Sequence, residues 1–307
     1  MVEGTVVSIV GPTASGKSSL AEVLACELDT SVVSMDSMQV YTGMDIGTAK
    51  TPVDERRAPL LMVDVAPVNK DYSVQLFQAD ARHCIDALLA QGKPAVLCGG
   101  TGFYLNAVID DMDFVHGEKG SSTRKAYEQL LEDQGSDVLY QLLATRDEKS
   151  AALIHPNNTR RVIRALEMLD EGDHYSEQNA ELHRQQPYYD AKIWALTMDR
   201  ARLYERINLR VDQMIAEGLV DEVRSLVDQG LNRDTTAGQA IGYKEILDVF
   251  EGGSSLEDAI DSIKQRSRRY AKRQLSWFRH DKRVQWIDLD ATSQDVAVRQ
   301  ILAAIAE

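Results

Sequence analysis

The apolar and polar positions of the chain fall into two regimes. Up to about residue 112, short apolar runs alternate with longer segments of helical period. Val6-Val7-Ser8-Ile9-Val10 and residues 31–35, 60–65 and 95–98 predict strands, and residues 19–28 and 73–91 predict helices. In the second helix Val74, Phe77, Ala81, Ile85 and Leu88 recur on one face, the stripe of a helix packed on a core. Between residues 42 and 59 the pattern fails, and Gly43, Gly47, Pro52 and scattered charges predict a mobile loop. From residue 113 to 190 the alternation stops. Residues 123–133, 137–145 and 159–171 have helical period with no strand between them. Strand and helix return at 193–197, 200–217 and 220–229. The small residues of 237–243 predict a close backbone approach, and a long helix over 256–279, a strand at 284–289 and a helix at 295–306 close the chain.

Chemistry enters between the first strand and the first helix. Gly11-Pro12-Thr13-Ala14-Ser15-Gly16-Lys17-Ser18 is a complete G-x-x-x-x-G-K-[ST] phosphate-binding loop. Its glycines let backbone N–H groups turn inward, and the following helix offers its positive end. Lys17 adds a cation, and the Ser18 hydroxyl can reach a phosphate-bound Mg²⁺. These groups recognise a diphosphate, and none recognises a base. The predicted fold class is therefore α/β: a P-loop kinase-like parallel sheet flanked by helices. Residues 1–112 and 191–307 form its core, with C-terminal helical elements, and 113–190 form a helical insertion domain.

In an open parallel sheet the C-terminal strand ends share one edge. Asp36-Ser37-Met38-Gln39, after the second strand, and Gly99-Gly100-Thr101-Gly102, after the fourth, should both lie beside the phosphate loop. Asp36 then faces the reacting group, as a base, as an outer-sphere Mg²⁺ partner or as a solvated turn acid, and Thr101 can hydrogen-bond a ligand.

Composition narrows the partners. With 34 basic against 48 acidic residues the formal charge is −14, so binding of a polyanion must come from local basic patches. Three such patches occur. Arg160, Arg161 and Arg164 face away from the apolar side of their helix, which carries Val162, Ile163, Leu166 and Leu169. Arg202, Arg206 and Arg210 form a stripe at i, i+4 and i+8 that would aim at the phosphate edge of the sheet if the helix starts at the strand end. The third patch comprises Lys264, Arg266, Arg268, Arg269, Lys272, Arg273, Arg279, Lys282 and Arg283, opposed locally only by Asp281 and interleaved with Tyr270, Trp277 and Phe278. Cations for phosphates and rings for unstacked bases are the parts of an RNA-binding surface. Three cysteines without C-x-x-C spacing and six scattered histidines predict neither disulfides nor zinc. No apolar run reaches the roughly 18 residues of a membrane span, and no signal segment is visible. A soluble, cytoplasmic monomer is expected.

The motifs, taken together and in order, resemble the bacterial tRNA dimethylallyltransferases. The resemblance rests on the phosphate loop, Asp36-Ser37-Met38-Gln39-Val40-Tyr41, Gly99-Gly100-Thr101-Gly102-Phe103-Tyr104, and His155-Pro156-Asn157-Asn158-Thr159-Arg160-Arg161-Val162-Ile163-Arg164-Ala165-Leu166-Glu167. Ala240-Ile241-Gly242-Tyr243-Lys244-Glu245 and the block from Tyr270 to Arg279 complete it. It covers nearly the whole chain. It implies transfer of a dimethylallyl group from dimethylallyl diphosphate to N6 of adenosine 37 in tRNA, with release of diphosphate. It further implies Asp36 as general base, Lys17 and the loop from Gly11 to Ser18 on the diphosphate, Ser18 on Mg²⁺, and Thr101 in the reaction channel. Asp36, Ser37, Met38, Gln39 and Thr101 would hold the target base. Arg124, Arg160, Arg161, Val162, Ile163, Arg164, Lys272 and Arg273 match RNA contacts around the anticodon stem-loop. Ser18 stands where many members carry threonine, which keeps the hydroxyl. Residues 115–122 and 171–186 carry no matching motif.

Three other readings share parts of this pattern. An ATP-dependent nucleoside or nucleotide kinase has the same loop and sheet but needs an adenine pocket and an arginine-bearing lid. A prenyltransferase of free adenine nucleotides has no use for the insertion. A non-catalytic RNA-binding protein leaves Asp36 beside a complete phosphate loop unexplained.

Overall fold

A computed structural model describes residues 2–114, 121–182 and 184–306. Most of the motif-free stretch 115–122 lies outside them. The elements run β1 (Val2–Val10), α1 (Lys17–Glu27), β2 (Val32–Ser34), β3 (Leu60–Leu61), α2 (Val74–Leu89), β4 (Ala95–Gly99) and α3 (Gly102–Ile109). Four helices follow: α4 (Ser122–Arg146), α5 (Glu148–Ala152), α6 (Thr159–Glu171) and α7 (Tyr175–Leu182). Then come β5 (Tyr189–Thr197), α8 (Arg200–Ala216), α9 (Leu219–Asp228), α10 (Tyr243–Phe250), α11 (Leu256–His280), β6 (Val284–Asp288) and α12 (Gln294–Ala306). The six strands pair in the order β3-β2-β4-β1-β5-β6, all parallel.

Strand alternation divides the core into two layers. Val6 and Val10 of β1 point to one face, with Phe77, Ala81 and Ile85 of α2, Leu105 of α3 and Ile263 and Phe278 of α11. Val7 and Ile9 point to the other, with Leu20 and Leu24 of α1 and Ala297 and Ile301 of α12. Both faces are covered, so β1 reads as a near-continuous apolar run. Each fully buried Val, Leu or Ile contributes about 1.5–3 kcal/mol. The sheet is the P-loop kinase-like fold expected, with the phosphate loop where β1 meets α1.

The chain forms two compact units, Met1–Asp110 with Pro187–Glu307, and Asp111–Gln186. Among its described residues the second unit has helices and no strand, and it has its own core of Leu139, Leu143, Ile154, Val162, Ile163 and Leu166. Within α4, Gly135 breaks the helix at φ 83°, which separates the two helical patterns read at 123–133 and 137–145. Helices α5 and α7 were not predicted. They are short, and α5 starts where Asp147 accepts the Ser150 amide at 3.0 Å.

Two loop expectations need correction. The strand predicted over residues 60–65 ends at Leu61, because Met62 (φ 60°) and Asp64 (φ 57°) take left-handed conformations that break extension. The loop at 42–59, read as mobile, is fastened at two points. Lys50, buried, donates to Asp45 Oδ1 and Asp64 Oδ1, both at 2.6 Å, and to the Tyr41 carbonyl at 3.2 Å. From α9, the Glu222 carboxylate accepts the amides of Asp45 (3.1 Å), Ile46 (2.7 Å) and Gly47 (3.2 Å), and the Tyr243 hydroxyl donates to it at 2.6 Å. A Cβ at Gly47 would lie 2.5 Å from the Tyr243 ring, so this clasp requires glycine.

Glu222→Ala leaves three amides and a phenol without their acceptor. It should destabilise the protein by roughly 2–4 kcal/mol in urea denaturation. A loss below about 0.5 kcal/mol would mean the loop is held by Lys50 alone.

Candidate active site

A cavity of about 320 Å³ opens at the C-terminal edge of the sheet. Thr13, Lys17 and Ser18 line it from the phosphate loop, and Asp36, Ser37, Met38 and Gln39 from the end of β2. The fastened loop adds Gly47, Thr48 and Ala49, α8 adds Arg210, and α11 adds Tyr270, Arg273 and Gln274. Gln239, Ala240, Ile241, Gly242 and Tyr243 form another wall, so the small-residue segment does approach the site. A neighbouring cleft shares Lys17, Ser18 and Arg210 and adds Ala14, Gly16 and Arg206.

Local geometry fixes each group. Gly16, at φ 94°, caps α1 and swings the chain so that the helix N-terminus and Lys17 face the site. Within the loop Gly11, Pro12 and Ser15 are buried, and Lys17 Nζ donates to the Pro12 carbonyl at 3.4 Å. Asp36 Oδ1 accepts the Met38 amide at 2.9 Å, which orients the carboxylate. Ser37 Oγ and Thr101 Oγ1 are 3.5 Å apart, and the Tyr270 hydroxyl is 3.4 Å from Thr101, so three hydroxyls form a chain beside Asp36. The Gln39 amide is held at both ends, accepting from Ser34 Oγ at 2.8 Å and donating to the Thr48 carbonyl at 3.3 Å.

The electrostatics favour an anion. Burial lowers the Lys17 pKa below the usual lysine value and Arg210 adds to the shift, while Cys98 and Asp36 oppose it. Burial likewise lowers that of Arg210, opposed by Asp36 and Glu217. Two partly desolvated cations thus share one site, with Asp36 the acid that pulls on both. Burial pushes the Cys98 thiol up to about 11, so it stays neutral and unreactive. Tyr270 is also raised, by burial and then by Asp36, and remains a neutral donor.

The arginine stripe of α8 divides by role. Arg202 pairs with Asp290, away from the cavity, whereas Arg206 Nε donates to the Ala14 carbonyl at 2.8 Å and Arg210 Nη2 to that of Thr48 at 3.4 Å. The basic block of α11 also needs correction, because acids distant in sequence neutralise part of it. Lys264 pairs with Asp212 at 2.6 Å and Arg266 with Glu245 at 3.1 Å, and Arg283 pairs with Asp110 and Asp281. Arg268 donates to Asn208 at 2.6 Å. Arg269, Lys272, Arg273, Arg279 and Lys282 are exposed and make no ion pair among the described residues. Trp277 is 42 % exposed, but Phe278 belongs to the core.

In the second unit Arg160 and Arg161 are exposed and Arg164 half-buried. Val162 and Ile163 are 0 % and 3 % exposed in that unit's core, so their side chains pack inside the unit and hold α6 in place. Arg124 sits by α6, paired with Glu167 at 3.1 Å and Glu128 at 3.0 Å.

No group of three or more His, Cys, Asp or Glu that could hold a metal occurs among the described residues. Ser18 lines the cavity together with Lys17 and Asp36, and its side chain hydrogen-bonds Cys98. That arrangement suits a cation such as Mg²⁺, which keeps several waters and binds through substrate phosphates rather than in an all-protein cage. No described helix is long and apolar enough to cross a membrane.

A parallel sheet headed by a phosphate loop, with a carboxylate and hydroxyls at the adjoining strand ends, defines a P-loop group-transfer enzyme. Comparison with known proteins narrows the class. The family model described as IPP transferase matches residues 39–281, and that described as isopentenyl transferase matches residues 4–58. The tRNA dimethylallyltransferase of Geobacillus thermodenitrificans is 48% identical over 98% of this chain and 96% of its own length. A crystal structure of full-length tRNA isopentenylpyrophosphate transferase from Bacillus halodurans matches with a TM-score of 0.73 at 42% identity, covering 99% of this chain and 96% of that one. A eukaryotic dimethylallyltransferase acting on tRNA matches with a TM-score of 0.82 at 28% identity, over 98% of this chain and 80% of that one. The chain belongs to the tRNA dimethylallyltransferase family.

Proposed function

We propose that this protein transfers the dimethylallyl group of dimethylallyl diphosphate to N6 of adenosine 37 in tRNA and releases diphosphate. The reading is supported above all by one juxtaposition: Asp36 shares a single cavity with Lys17 and Arg210, and the rim of that cavity carries Arg273 of α11. A base and an anion cradle face the same space.

In this reading the loop from Gly11 to Ser18 grips the diphosphate, with Lys17 and Arg210 supplying charge. Leu60, Ile207, Val211, Met214 and Ile263 line the same cavity and suit a five-carbon apolar group. The adenine is drawn out of the anticodon-loop stack and held by Ser37, Met38, Gln39 and Thr101. A bond forms between N6 and the allylic carbon as the carbon–oxygen bond to diphosphate breaks. Asp36 takes the N6 proton, which a weakly nucleophilic exocyclic amine must lose. Charge growing on the departing diphosphate falls on Lys17, Arg210 and the loop amides. Ser18, with diphosphate oxygens and water, would hold a Mg²⁺, which lowers the cost of that leaving charge. Lys272 and Arg273, and in the helical insertion domain Arg160, Arg161, Arg164 and Arg124, meet phosphates of the anticodon stem-loop. The enzyme works as a cytoplasmic monomer.

The test is to incubate labelled dimethylallyl diphosphate and purified protein separately with undermodified tRNA, AMP and a kinase mixture containing ATP. Label should enter tRNA alone. Label in AMP would indicate a free-nucleotide prenyltransferase, and phosphate transfer from ATP a kinase. Replacing Lys272 and Arg273 together by alanine should weaken tRNA binding and reduce the slope of log affinity against log salt by about 2. Affinity for the diphosphate substrate should not change. Untouched tRNA affinity would make the patch a merely solvated surface.

A further inference from the structure

Gln274 lies within the basic block of α11, where a polar side chain reads as one more nucleic-acid contact. It is 5 % exposed and points the other way. Its Oε1 accepts the backbone amide of Thr13 in the phosphate loop at 2.9 Å, and its Nε2 donates to the Gly100 carbonyl after β4, also at 2.9 Å. One amide side chain thus ties the two backbone turns on either side of the reacting space. An N–H on one side and a carbonyl on the other allow only this orientation of the amide.

Neighbouring residues of the helix grip the same turn. Tyr270, one turn earlier, meets Thr101 at 3.4 Å, and Trp277, one turn later, packs on Gly102 so closely that a Cβ there would be 2.1 Å from its ring. A Cβ on Gly100 would be 2.1 Å from Gln274 Nε2. Positions 270, 274 and 277 share one face of a helix, and exposed Lys272 and Arg273 lie between them. The Thr13 N–H is already bound to Gln274, so Thr13 offers a diphosphate its hydroxyl and not its amide.

We propose that Gln274 is a positioning residue for the transfer reaction, holding the phosphate loop and the Thr101 turn in the register that aligns the allylic diphosphate with its acceptor. The proposal rests on the prenyl-transfer reading above. Gln274 touches no reacting atom; it acts through Thr13 and Gly100. Its loss should therefore lower kcat and weaken the diphosphate site while tRNA affinity stays level.

Two variants test this against wild-type enzyme with saturating tRNA. Gln274→Met keeps the volume but removes both hydrogen bonds, and Gln274→Glu keeps the acceptor for Thr13 but offers no donor to Gly100. Each should lower kcat about tenfold or more and raise KM for dimethylallyl diphosphate several-fold, with the tRNA dissociation constant within about twofold of wild type. Thermal melting of both variants accompanies the kinetics, and the folded Gln274→Glu decides the matter if Gln274→Met does not fold. Unchanged kcat in a folded variant, or a loss confined to tRNA affinity, would overturn the proposal and make Gln274 a nucleic-acid contact or a packing residue. Absence of transfer by the wild-type enzyme would instead refute the functional reading on which it rests.

Discussion

Asp36→Asn should reduce single-turnover prenyl transfer by roughly 10²-fold or more while leaving tRNA affinity unchanged. Asparagine keeps the shape of aspartate, and its Oδ1 can still accept the Met38 amide that orients the side chain at 2.9 Å. What it loses is the ability to take a proton from the attacking amine. A second effect has the opposite sign. Asp36 raises the pKa of both Lys17 and Arg210, so its charge partly offsets theirs. Neutralising it leaves the cradle more positive, and dimethylallyl diphosphate should bind as tightly as to wild type, or more tightly. A simple structural defect would weaken both substrates together. Unchanged turnover would remove Asp36 from the chemistry.

Lys17→Met should cost roughly 10²–10³-fold in kcat/KM for the allylic diphosphate, or about 2.7–4 kcal/mol of transition-state stabilisation. The ammonium faces a leaving group whose negative charge grows as the carbon–oxygen bond breaks, so part of the loss must appear in kcat. In wild type the pH dependence carries a sign. Burial and Arg210 together lower the Lys17 pKa despite Cys98 and Asp36. Only the protonated form attracts an anion. Diphosphate affinity should therefore be complete below that lowered value and fall as pH rises through it, earlier than an ordinary lysine would allow. Isothermal titration with inorganic diphosphate between neutral and alkaline pH measures this, and a flat profile would mean that the loop amides and Arg210 carry the binding.

What could be read from the sequence was what short-range pattern encodes. The apolar run of β1, the stripe of α2 and the G-x-x-x-x-G-K-S loop each state their structure within a few residues, and strand-end logic brought Asp36 and Thr101 near the loop. What escaped depends on partners distant in the chain. The 42–59 loop has the composition of a mobile segment, yet Glu222, 177 residues from Asp45, binds its amides. Nothing near residue 222 announces an amide receptor. Asp212, Glu245 and Asp110 neutralise Lys264, Arg266 and Arg283, which a local charge count of α11 cannot show. The apolar period of α6 places Val162 and Ile163 on the inner side of their helix, and the structure buries both, as it buries Phe278 of α11. For Gln274 only the fold reveals that one face of a basic helix is turned toward the phosphate loop.

The central claim is that the diphosphate held by the phosphate loop is a leaving group in the alkylation of a nucleobase. The most direct measurement follows one turnover with undermodified tRNA, counting diphosphate released and mapping the adduct by mass spectrometry of nuclease digests. One diphosphate per dimethylallyl group, with that group on N6 of adenosine 37, is the predicted result. Diphosphate release without a nucleobase adduct, or an adduct elsewhere in the tRNA, would contradict it.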